Sequence, residues 1–86
     1  MEVKKQLVLR EIAGDYALIP IGNTIIKNNG LFSLSETGAR IWELLPQADG
    51  AEQLVDALLE EYDVDRETLS RDVDEFLEQL RQLEIL

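Results

Sequence analysis

A chain of 86 residues forms one domain, with room for a single modest core and none for a deep catalytic cavity. It contains no cysteine and no histidine, which removes disulfides, thiolate chemistry and the commonest general base and metal ligand. The net charge of −10 argues against a nucleic-acid footprint, because residues 44–86 hold thirteen acids against three bases while residues 1–43 balance five against five.

Apolar residues at 45% and charged residues at 30% are the balance of a folded domain, taken to span residues 1–86. The N-terminal MEVKKQLVLREI interrupts its apolar positions with charge, so it reads as neither a signal peptide nor a membrane span. A cytoplasmic protein is the expectation.

Strands come first. Leu7, Leu9 and Glu11 alternate with Val8, Arg10 and Ile12, and Gly14-Asp15 is the expected two-residue turn into a second strand, Tyr16 to Ile21. Pro20 lacks an N–H and places that strand's end near a sheet edge. NTIIKNNGLFSL reads as a second hairpin turning at Asn29-Gly30, which predicts a third strand over Leu31 to Leu34.

Helices follow, which makes the chain α+β. Ser35 is positioned to cap the N–H of Thr37 or Gly38, and Ser33 with Glu36 forms a competing capping box. The first helix, about 35–45, carries Ala39, Ile41, Trp42 and Leu45 on its apolar side and ends at Pro46. The second, about 51–62, is expected to start from an Asp49–Glu52 capping box and to bury Leu54, Val55, Leu58 and Leu59. The third, about 66–83, sets Leu69, Val73, Phe76, Leu77, Leu80 and Leu83 along one stripe. That stripe is wider than a coiled-coil seam, so one flank can serve the core and the other a partner.

No catalytic constellation is present in the sequence. There is no Ser-His or Cys-His pair and no glycine-rich phosphate loop, and no cofactor or metal is implied. Carboxylate pairs such as Glu60 with Glu61, or Asp72 with Glu75, arise readily on acidic helices and lack the spacing of a calcium loop. A non-enzymatic binding module is the expectation.

The succession AGDYALIPIG, NGLFSLSETGARIWELL, EQLVDALLEEYDVD and RDVDEFLEQLRQLEIL resembles the PqqD-like family. The family takes its name from a factor of pyrroloquinoline quinone biosynthesis, and the same unit is the recognition element for precursor peptides of ribosomal natural products. The resemblance runs from about Leu7 to Leu86. It implies a winged-helix-like fold with an N-terminal three-stranded antiparallel sheet packed on three helices. It also implies a non-catalytic adaptor, in which the leader region of a precursor peptide adds as a strand beside the third strand. The partner would be a separate modifying enzyme, often a radical S-adenosylmethionine (SAM) enzyme. Carried over by position, Leu31, Phe32 and Ser33 form the strand side of the peptide site, and Asp72, Glu75, Phe76 and Gln79 the helix side. Gly22 to Asn29 is longer than the turn of the quinone-pathway members, which points to the broader peptide-maturation relatives.

Strand addition needs an unpaired sheet edge, and a sheet of so few short strands has one. The same edge is able to pair two copies of the chain as a homodimer. The alternative from a different class is a structural or regulatory protein that docks on a folded partner through its acidic helices. Neither reading involves nucleic acid or a membrane.

Overall fold

The alternation in LVLREI and the apolar run DYALIP build two antiparallel strands, β1 (Leu7–Ile12) and β2 (Asp15–Pro20), in a computed structural model that describes residues 1–22 and 32–86. A third strand, β3 (Phe32–Leu34), pairs antiparallel with β2 and gives the sheet order β1-β2-β3. Three helices follow, α1 (Glu36–Leu44), α2 (Ala51–Glu61) and α3 (Arg66–Gln82), with a 3-10 turn at Leu45–Gln47 after α1. The expected order of three strands and three helices is therefore observed, and each α-helix boundary lies within one residue of its expected position.

Local chemistry corrects several details. The first turn is Ala13-Gly14, not Gly14-Asp15, with φ of 52° and 86°. Ile12 pairs with Asp15, and a two-residue turn of this kind needs positive φ at both residues between them. Ser35 caps α1 by accepting the Gly38 N–H at 3.0 Å, while Ser33 lies within β3 and forms no capping box. Pro46 sits in the 3-10 turn that ends α1. At α2 the cap is Gly50 without a side-chain bond, because the Asp49 N–H instead donates to Oε1 of Gln53 at 2.8 Å. The expected hairpin at Asn29-Gly30 and residue Leu31 lie outside the described residues.

Cross-strand pairing places Leu9, Leu18 and Phe32 on one face of the sheet, and that face packs on the helices. Leu18, Ile41, Leu45, Leu54, Leu58, Val73, Leu77, Leu80 and Ile85 form the fully buried centre. Trp42, expected in the core, is half-buried at its margin. At the far end α3 stops in a Schellman motif. Glu84 adopts φ 61°, its N–H donates to Arg81, and the Ile85 N–H donates to the Leu80 carbonyl at 2.8 Å.

The N-terminal arm, to which the sequence assigned no role, is tied to helix C-termini. The Met1 ammonium donates to the carbonyls of Leu45 and Ala48, the Lys4 N–H donates to Ile85, and Nζ of Lys5 donates to Leu83 at 3.0 Å. Cations placed there satisfy carbonyls that a helix leaves unpaired. Among the described residues, no helix is long and apolar enough to cross a membrane.

Candidate functional site

The hairpin turn sets which backbone groups face the open edge. Ile12 and Asp15 close a two-residue turn as a hydrogen-bonded pair, so such pairs recur at Arg10–Ala17 and Val8–Ile19. The Ile21 N–H, which donates to the Gln6 carbonyl at 3.1 Å, continues the same series. Ala17 therefore directs its N–H and C=O at β1, while Tyr16 and Leu18 direct theirs at β3. Leu34 and Phe32 answer Tyr16 and Leu18, and the N–H and C=O of Ser33 point away from the sheet. Among the described residues β3 is the last strand on that side, so Ser33 presents one donor and one acceptor at an unpaired edge.

Beside that edge lies an open groove of about 380 Å³. Ser33, Leu34 and Ser35 form its strand side, and Thr37, Gly38 and Ile41 of α1 also line it. The α3 wall consists of Asp72, Glu75, Phe76 and Gln79, whose spacings of three, four and seven residues put them on one helical face. Phe76, only 7% exposed, joins wall to core, and its ring lies 6.1 Å from that of Phe32. Gly38 faces the groove, where a methyl would make ordinary contacts. A methyl at Gly38 would stand 3.5 Å from the Phe76 ring and 3.6 Å from Cβ of Leu34, so any larger side chain would intrude on the groove.

Electrostatically the groove is acidic, with two carboxylates and no lysine or arginine among the described residues that line it. Arg40, the one base of α1, is turned toward α2, where Glu61 accepts from its Nε and Nη2 at 2.7 Å each. The Glu61 hydrogen bonds raise the Arg40 pKa, and those same bonds hold the Glu61 carboxyl below its ordinary range. Glu61 is thus the structural partner of Arg40. The phenol of Tyr16 on β2 is pushed up, chiefly by Glu11, which faces it across the β1–β2 pair. No group of three or more acidic side chains converges as a metal site among the described residues.

The sequence of this chain matches the family described as Coenzyme PQQ synthesis protein D (PqqD) over residues 9–86. The chain belongs to the PqqD family. Among solved structures it is similar to TbiB1 in complex with the TbiA(beta) leader peptide, at 34% identity and a TM-score of 0.72, covering 100% of this chain and 94% of that one. No curated protein matches.

In this PqqD-family chain, five residues expected at the site, Ser33, Asp72, Glu75, Phe76 and Gln79, line one groove. Phe32 stands one layer behind, against Phe76, and Leu31 lies outside the described residues. The side chain of Ser33, paired across from Ala17, lies on the sheet face away from Leu18 and the helices, so Ser33 meets the groove through its backbone. The sequence reading missed Leu34, Ser35, Thr37, Gly38 and Ile41. A signal was available in Gly38, since glycine inside a helix is unfavourable and invites a packing or functional reason.

Proposed function

We propose that this PqqD-family protein is a non-catalytic adaptor that binds the leader region of a ribosomally made precursor peptide and presents it to a separate modifying enzyme, a radical SAM enzyme. The peptide adds as an antiparallel strand beside β3. The outward N–H and C=O of Ser33 carry this reading, because they give the edge a docking register without regard to peptide sequence. Support also comes from the leader-bound TbiB1 structure, at 34% identity over the whole chain. The peptide residue opposite Ser33 would place its side chain on the outer sheet face, and its two neighbours would point into the groove toward Phe76. Phe76, backed by Phe32, then supplies the apolar floor, and Asp72, Glu75 and Gln79 the polar wall.

An amide-resolved NMR titration with the precursor peptide encoded beside this protein tests the proposal. The expected shifts concentrate at Phe32–Leu34 and at Asp72–Gln79. Shifts absent there and present along α2 would instead support docking on a folded partner through the acidic helices.

A further inference from the structure

We infer that the β3–α3 groove selects a peptide strand bearing a lysine or arginine, whose aliphatic stem lies on Phe76 and whose cation is held by Asp72 and Glu75. The inference rests on the peptide-adaptor reading above and names the chemistry that the groove prefers. The two peptide side chains that enter the groove flank the residue paired with Ser33, so they are two positions apart in sequence. Their surroundings are unequal. Leu34, Ile41 and Phe76 are apolar, whereas Asp72 and Glu75 place two negative charges on the α3 wall.

Among the described residues, neither carboxylate forms an ion pair with a lysine or arginine. Arg66 is held by Asp56 at 2.7 Å, Arg71 lies 3.8 Å from Glu67, Arg81 lies 3.6 Å from Glu78, and Arg40 is taken by Glu61. Every arginine of the helices thus leans on an acid other than Asp72 or Glu75. Exposed carboxylates in water attract weakly, but a strand laid over the groove removes solvent from one side of both, which strengthens their attraction for a cation. Lysine and arginine suit the place, since each buries an apolar stem while its charged head stays at the rim. An acidic peptide side chain at the same position would meet two like charges, so the wall also rejects.

The probe is a phage-displayed library of random peptides about twelve residues long, long enough for an added strand, selected against the folded protein. Peptides recovered in ~50 mM NaCl should be enriched in lysine or arginine two positions from an aromatic or aliphatic residue. For a fluorescein-labelled recovered peptide, replacing that lysine or arginine by alanine should weaken binding to wild type by about three- to tenfold, read by anisotropy. With the Asp72→Asn/Glu75→Gln double variant the same replacement should cost less than about twofold. Both substitutions are at exposed helix positions, and an unchanged amide spectrum elsewhere verifies the fold. Absence of cation enrichment, or an equal penalty in both proteins, overturns the inference. If the recovered peptides perturb the Ser33 and Phe76 amides yet lack cations, only the selectivity falls. If they leave those amides unmoved, or if none is recovered, the adaptor reading falls with it.

Discussion

Ala13 stands at φ 52° in the first hairpin turn, a region where a side chain with Cβ is strained and where asparagine is the favoured non-glycine residue. Ala13→Asn, which creates the Asn-Gly pair that such turns prefer, should stabilise the domain by about 0.5–1 kcal/mol. A melting temperature equal to or below that of wild type would contradict the turn assignment. Asp65 makes a pH-dependent contribution. Its carboxylate accepts from the Thr68 hydroxyl at 2.8 Å and from the Thr68 N–H at 3.1 Å, and these bonds, the hydroxyl's first, hold its pKa below the usual value. A lowered folded-state pKa means that the stability is present above the unfolded-state pKa and is lost as the pH falls through the folded one. Asp65→Ala should therefore lower the melting temperature at neutral pH, and the gap from wild type should close in acid. A gap that stayed constant down to strong acid would show that the cap acts without its charge.

At the scale of elements, β3 does two jobs with alternating residues. Phe32 and Leu34 face the core and bond to β2, while Ser33 leaves its backbone groups outward. Proline substitution separates the two jobs. Ser33→Pro removes an N–H that none of the described strands uses and should fold with little loss of stability, yet lose most peptide affinity. Leu34→Pro removes an N–H that bonds to Tyr16 and should cost about 3 kcal/mol or more, seen as a sharply lowered denaturation midpoint. The reverse outcome, with Ser33→Pro unfolding and Leu34→Pro tolerated, would invert the ladder parity. The helices were legible in the sequence because Leu69, Val73, Phe76, Leu77 and Leu80 repeat with helical period and Pro46 and Asp65 punctuate the chain. The α2 cap was misread because capping-box spacing at Asp49 and Glu52 does not reveal that Gln53 competes for the Asp49 N–H. Asp72, Glu75, Phe76 and Gln79 came from family resemblance, and their common face follows from helical spacing. The α1 side of the groove was not legible, since which helix turn abuts a strand edge is set by tertiary packing and leaves only Gly38 as a trace.

The whole molecule is a neutral sheet-bearing half joined to a strongly acidic helical half. Salt links across elements moderate that charge, as Arg40 joins α1 to α2 and Arg66 joins α3 to Asp56 of α2, but all are exposed and individually weak. Self-repulsion therefore dominates, and raising NaCl from about 20 to 200 mM should raise the melting temperature. A fall would mean that the ion pairs outweigh the repulsion. A peptide that completes the sheet at Ser33 must engage its outward amide, and the exchange rate of that amide reports the pairing. In the free protein the Ser33 N–H should exchange with solvent much faster than those of Phe32 and Leu34, which are bonded within the sheet. Bound precursor peptide should slow Ser33 by at least about tenfold, as expected for an amide drawn into a ladder. If saturating peptide leaves Ser33 exchanging at its free rate, the peptide does not pair with this edge.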